Sequence, residues 1–209
     1  MNTNPFLANQ EQPSAGKIFI DILQAIIFAL AINVVIYFLF VVPSQVDGPS
    51  MQPNLHDKDL LFADKVVQWL GQTPFGKSLN YDYQRGDIII FDEGNISLVK
   101  RIIAGAGDTI RFEENKIFVN DKQISEKYIP AQTPTYLPGH TLAFLQNGET
   151  KTVPENSYFV MGDNRTNSKD SRFKDIGFIP RDRVKGRVFI RFWPLNTFGF
   201  ISRGEYTEN

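Results

Sequence analysis

DIIIFDEGNISLVKRIIAGAGDTIRFEENKIFVN, residues 87–120, sets the architecture. Four apolar runs, Asp87–Phe91, Ser97–Ile103, Thr109–Phe112 and Lys116–Asn120, have strand length and are rich in β-branched or aromatic residues. Gly, Asp, Asn and Glu separate them, and helical periodicity is missing. Ser157–Gly162 and Gly186–Phe192 continue the pattern, while only Leu60–Leu70 offers the spacing of a short helix. Asn120-Asp121, between KIFV and KQIS, is placed for a two-residue hairpin turn. A mostly β body with Gly-rich turns is therefore expected. From Tyr128 to Glu155 the chain turns rich in Pro, Thr, Gln and Gly, with Pro130, Pro134, Pro138 and Pro154 limiting regular structure. We read a small inserted lobe over about residues 112–155.

Upstream, Ile18–Val42 reads IFIDILQAIIFALAINVVIYFLFVV and breaks its apolar run only at Asp21, Gln24 and Asn33. A helix needs roughly 20 apolar residues to cross a hydrocarbon layer about 30 Å thick. The stretch meets that length and exceeds the core of a cleaved secretory signal. The expected organisation is a polar tail over residues 1–17, a transmembrane anchor over 18–42 and a β domain over 43–209. The amino-terminal flank carries only Lys17 against Glu11 and Asp21, so flanking charge barely sets orientation. Asn33 is read as a structural amide.

Composition narrows the chemistry. Lys and Arg number 22 against 23 Asp and Glu, so no basic excess invites nucleic acid. With no cysteine, a thiol nucleophile, a disulfide framework and a cysteine-based zinc site are all excluded. His56 and His140 lie far apart without metal-ligand spacing, and neither a metal nor a cofactor is expected.

Gly48-Pro49-Ser50-Met51-Gln52-Pro53 follows the apolar span closely. Proline fixes its own φ and biases the residue before it, so Pro49 and Pro53 hold Ser50 in a restricted orientation. Taken alone this is a turn serine, because a hydroxyl becomes a useful nucleophile only beside a base. Lys100 is a candidate base within Leu98-Val99-Lys100-Arg101-Ile102-Ile103, where strand alternation sends Lys100 and Arg101 to opposite faces and one of them inward. Burial can lower a lysine pKa by up to about 3 to 5 units, whereas a guanidinium stays protonated. Taken alone, a Lys-Arg pair on a strand is a solvated face. The polar segment Gly162-Asp163-Asn164-Arg165-Thr166-Asn167-Ser168-Lys169-Asp170-Ser171-Arg172, directly after an apolar strand, adds a network able to orient a base.

GPSMQP, RGDIIIF, VKRIIAGAGD and GDNRTNSKDSR, in this order behind an amino-terminal anchor, resemble the boxes of the type I signal peptidase family of serine/lysine peptidases. The resemblance implies a signal-peptidase-like β body in which Ser50 attacks the scissile carbonyl, Lys100 is the general base and Ser168 hydrogen-bonds the lysine amine. It makes Asp163 with Arg101, and Asp170 with Arg172, supporting ion pairs. Val46, Met51, Leu98 and Val99 become candidates for shallow pockets that accept an Ala-X-Ala-type site. The implied partners are exported preproteins and the lipid bilayer, with a monomeric catalytic domain on the extracytoplasmic side. Phe192, Trp193, Phe198 and Phe200 are candidates for seating that domain at the lipid interface. Some members place a serine hydroxyl in the oxyanion hole two residues before the nucleophile, where this chain has Gly48. Because one such donor is worth about 2.7 to 4 kcal/mol, a substitute is expected, with the Gly48 N–H as candidate. Ala104-Gly105-Ala106-Gly107 also departs from the family's usual turn. A repressor-type serine/lysine peptidase, a non-catalytic anchored β module and a triad using His56 or His140 are the remaining alternatives.

Overall fold

A computed structural model describes residues 14–79, 81–131 and 133–208, so most of the expected polar tail lies outside the described residues. The chain divides into a helical unit ending at Leu39 and a β body beginning at Phe40. Helix α1, Ala15–Phe40, has 26 residues, none buried, and is long and apolar enough to cross a membrane. Asn33 Nδ2 donates to the Ala29 carbonyl at 2.8 Å, which satisfies its amide within the helix. The helix begins before the expected Ile18 and stops before Val42. Val41 and Val42 already pair with Asp64 and Ala63.

The body contains, in chain order, β1 (Val41–Gln45), β2 (Leu60–Asp64), α2 (Val66–Leu70), α3 (Pro74–Ser78), β3 (Ile88–Glu93), β4 (Ile96–Ala104), β5 (Thr109–Glu113), β6 (Lys116–Val119), β7 (Lys122–Glu126), β8 (Thr150–Thr152), β9 (Ser157–Met161), β10 (Ile179–Pro180), β11 (Val184–Trp193), β12 (Gly199–Phe200) and β13 (Tyr206–Glu208). The fold is mostly β, as the punctuation of the sequence implies. One expectation fails: Leu60–Leu70 is a strand followed by a single-turn helix, not a helix throughout. Leu61 and Ala63 are fully buried while Leu60, Phe62 and Asp64 are less so, a period of two that marks a strand.

Two antiparallel sheets result. The larger has the order β1-β2-β11-β3-β4-β9-β10, with β12 added to β11, and the smaller runs β13-β7-β6-β5-β8. The smaller sheet carries the lobe expected over about 112–155, but it starts at Thr109 and its edge comes from the far end of the chain. Residues 206–208 pair with 124–126. Pro43 sits in β1, an edge strand, where a missing N–H is tolerated.

β3 and β4 are covered on both faces. Ile88, Ile90 and Val99 join Val46, Met51, Leu55, Leu61 and Ala63 in one buried cluster. Ile89, Phe91 and Ile102 join Val160, Ile179 and Val184 in another. A strand buried on both sides reads as an unbroken apolar run, which accounts for DIIIF. The far end of β4 enters a third cluster in which Ile103, Phe159 and Met161 meet Ile110, Phe112 and Val119 of the smaller sheet.

Phe118↔Gln123 and Val119↔Lys122 leave Asn120 and Asp121 as the two loop residues, at φ +52° and +62°. Two successive left-handed residues define the hairpin turn that matches strand twist. The Asn120 side chain is committed, accepting from Thr109 N at 2.9 Å and donating to Asp108 at 2.7 Å. Asp121→Gly is therefore expected to stabilise the protein by about 1 kcal/mol by relieving left-handed strain, measured as a higher urea midpoint.

Candidate active site

The loop between β1 and β2 is pinned before and after Ser50. Val46 N donates to Asp59 O and Lys58 N to Val46 O, both at 2.9 Å, which closes the loop at its base. Met51 and Leu55 are fully buried and fasten the segment after the serine to the core. Asn164 reaches across from the polar segment, donating its backbone N–H to Ser50 O at 3.0 Å and its side-chain amide to Pro49 O at 3.2 Å. Ser50 thus faces one direction.

Lys100 faces it from the middle of β4, where it pairs with Ile89. Its Nζ donates to Ser50 Oγ at 2.8 Å and to the Val99 carbonyl at 2.9 Å. Only 3% of Lys100 is exposed. Burial pulls its pKa from 10.5 down to about 8, against the opposing pull of the Asp170 and Asp163 carboxylates. Arg101 is equally enclosed, at 2% exposure, although alternation was expected to turn only one of the pair inward. The reason is that β4 lies inside the sheet with both faces covered.

Both supporting ion pairs form. Arg101 grips Asp163 with two parallel bonds, Nε to Oδ1 at 2.8 Å and Nη2 to Oδ2 at 2.7 Å, and its third arm donates to Gly86 O at 2.8 Å. Burial works against the Arg101 charge, but the bond to Asp163 raises its pKa above the ordinary value. Its guanidinium also lies 4.0 Å from the Tyr128 ring centroid. Arg172 holds Asp170 in the same two-pronged way, at 2.8 and 2.9 Å, and the Gly162 N–H adds a bond at 3.0 Å. Burial disfavours the Asp170 carboxylate, yet Arg172 and that N–H keep it below its usual range.

Two expectations are corrected. Ser168 does not hydrogen-bond the Lys100 amine: among the described residues its buried Oγ has no partner at hydrogen-bonding geometry, although it lies near enough to Asp170 to help lower that carboxyl. The amine instead uses Ser50 and its own strand carbonyl. Nor is the Gly48 N–H available for an oxyanion, because it donates to Asp57 Oδ1 at 2.7 Å. Among the substrate-contact candidates, Val46, Met51 and Val99 sit in one core cluster, with Met51 fully enclosed. Leu98 is partly buried against another cluster.

Several residues escaped the sequence reading. A Cβ at position 162 would lie 2.2 Å from Ser168 Oγ and 2.4 Å from Ser50 O, so Gly162 is the contact plane between both serines. A glycine ending an apolar strand is the signal for such close approach. Asn54 bridges Asp163 and the Tyr128 carbonyl, both at 2.8 Å. Arg165, 3% exposed, ties Gly162 O at 3.1 Å to Thr135 and Glu126. Asn54 and Glu126 carry no local pattern that marks them.

Comparison with known proteins follows the same lines. A family model described as "Signal peptidase, peptidase S26" matches residues 19–193. The chain belongs to the signal peptidase S26 family. It is a peptidase of the signal peptidase I class. The chain is 34% identical to a signal peptidase I of Bacillus amyloliquefaciens, over 90% of this chain and 96% of the relative. It is 37% identical to that of Bacillus licheniformis, over 83% and 88%. A solved signal peptidase I from Enterococcus faecalis V583 is 29% identical, with a TM-score of 0.40, over 51% of this chain and 96% of that one.

Within this signal peptidase the buried amine has a thermodynamic signature. Its folded pKa of about 8 lies below the unfolded 10.5, so between those values the unfolded chain binds more protons and stability rises with pH. Below about pH 8 the full cost of burying the ammonium is present. Lys100→Met is thus expected to raise stability at pH 7, by up to about 3 kcal/mol, and the gain should shrink as pH climbs above 8. Thermal unfolding in detergent at pH 7, 8 and 9.5 reads this out, and a pH-independent difference would contradict it.

Proposed function

We propose that this chain removes signal peptides from exported preproteins, with Ser50 as nucleophile and Lys100 as general base. The observation that carries the reading is the 2.8 Å contact between Lys100 Nζ and Ser50 Oγ, made by an amine that burial brings near neutrality. Geometry and pKa together fit direct proton transfer. Neutral Lys100 takes the hydroxyl proton as Ser50 Oγ attacks the scissile carbonyl. The resulting ammonium then gives that proton to the leaving amine, and the acyl-enzyme is released by a water that Lys100 deprotonates in turn. The Ser50 backbone N–H donates none of the hydrogen bonds found among the described residues and serves as the oxyanion donor. Ser168, packed against Gly162 and near Asp170, is part of the wall around the amine. Asp163, Arg101, Asp170 and Arg172 hold the walls and do not react. No metal or cofactor enters this chemistry.

The substrate lies extended as an added strand beside the nucleophile loop and β4, and it presents an Ala-X-Ala-type site. Val46, Leu98 and Val99 line the pockets for its small side chains, and Met51 forms their floor. α1 spans the membrane as the anchor and the β body works, as a monomer, on the extracytoplasmic side. Trp193, Phe198 and Phe200, exposed by 51%, 57% and 81%, seat that domain in the lipid interface. Phe192 belongs instead to the body, stacked on Phe62 at 4.1 Å. Neither His56 nor His140 bonds Ser50 among the described residues, which favours the serine/lysine pair over a histidine triad.

Detergent-solubilised protein should cleave a preprotein bearing an Ala-X-Ala site, and Ser50→Ala and Lys100→Met should each lose at least about 1,000-fold in kcat/KM. Full cleavage by either variant would defeat the assignment. In the wild type kcat/KM should climb about tenfold per pH unit below 8 and level off above it, as Lys100 loses its proton.

A further inference from the structure

The Gly48 N–H that Asp57 occupies points to a device for shaping the oxyanion site. Upstream of Ser50 the loop is clamped at its base backbone to backbone, Val46 being held by Asp59 O and Lys58 N. Between that clamp and Pro49, Asp57 holds the Gly48 backbone and Lys58 Nζ holds the Asp47 side chain. Asp57 Oδ1 accepts from Gly48 N at 2.7 Å, and Gly48 adopts φ +84°, in the left-handed region that glycine enters freely. Pro49 follows with a locked φ and no N–H of its own, so the direction set at Gly48 passes to the Pro49–Ser50 peptide. That peptide carries the N–H assigned above to the oxyanion. A Cβ at position 48 would meet nothing within 4 Å, so no close contact explains the glycine, and the backbone conformation does.

The surroundings favour a structural hydrogen bond over a charge effect. Lys58 Nζ sits 2.6 Å from Asp47 and 3.6 Å from Asp57, so the Asp57 charge is partly offset. The Asp57 side chain is about half exposed, at 48%, and faces water as well as the loop. A negative charge beside a forming oxyanion does not assist it electrostatically. What Asp57 offers is an acceptor at a fixed place.

We propose that Asp57 is a positioning residue, which by fixing the Gly48 peptide aims the Ser50 N–H at the oxyanion. This rests on the serine/lysine reading of the site, and the test separates the two. Full-length protein in detergent is assayed on a soluble peptide with an Ala-X-Ala site. Asp57→Ala should lower kcat about tenfold with KM within about twofold, the loss expected for one well-placed hydrogen bond acting on the transition state. Asp57→Asn keeps the acceptor oxygen and discards the charge, and it should restore kcat to wild type or above. Lys58→Ala, which leaves the Asp57–Gly48 bond in place, should keep wild-type kcat. Equal loss in the Ala and Asn variants would assign the effect to charge and overturn the proposal, as would an Ala variant with wild-type kcat. A rise in KM alone, or a fall in kcat that tracks a lower melting temperature across the variants, overturns it too. Should Ser50→Ala retain activity in the same assay, the failure belongs to the dyad reading and not to Asp57.

Discussion

An amine kept out of water is the constraint from which the rest of the molecule follows. Lys100 can act as a base near neutrality only if it is shielded, and shielding it requires a strand covered on both faces in the middle of a sheet. β3 and β4 satisfy this with isoleucines that point both ways, and the two layers of core exist on either side of them. Close to the amine lie two carboxylates that would restore its charge, Asp170 and Asp163. Each is held by an arginine in a two-pronged grip, so their fields are largely spent before they reach Lys100. Burial then dominates.

The nucleophile presents the opposite problem. Ser50 must be reachable by a substrate, so it cannot be fixed by burial of its own side chain. The loop is fixed instead by what surrounds it: buried Met51 and Leu55 below, Asn164 across the top and the Val46–Asp59 clamp at the base. Gly162 is where these requirements meet, since its missing side chain lets the Ser50 carbonyl and the Ser168 hydroxyl approach the same peptide. Such a surface tolerates no added methyl.

How much of this was legible depended on how local the signal was. The strands of residues 87–120 were readable because burial on one or both faces writes itself into consecutive side chains, and the Asn120-Asp121 turn because left-handed residues are few in kind. Ser50 and Lys100 were readable through short motifs, and so were Arg101, Asp163, Asp170 and Arg172. Leu60–Leu70 misled because a five-residue strand abutting a five-residue helix mimics one longer amphipathic pattern. Asn54, Glu126 and β13 were invisible for a different reason. The partners of Asn54 and β13 lie over 70 residues away and that of Glu126, Arg165, lies 39 residues on, and no neighbouring residue points to them. The occupied Gly48 N–H was no easier to foresee, although its partner is only 9 residues on, since nothing in the hexapeptide tells where the Asp57 carboxylate will fall.

The position of β11 in the larger sheet bears on when the peptidase can first work. Residues 184–193 lie between β2 and β3, so the hairpin beside the nucleophile and the hairpin carrying the base are joined by one of the last segments to be synthesised. A growing polypeptide that has released Ser50 and Lys100 but not yet Val184 lacks the strand that hydrogen-bonds these two hairpins into one sheet. The backbone ladder between the nucleophile's hairpin and the base's hairpin is therefore completed only when that late segment is added.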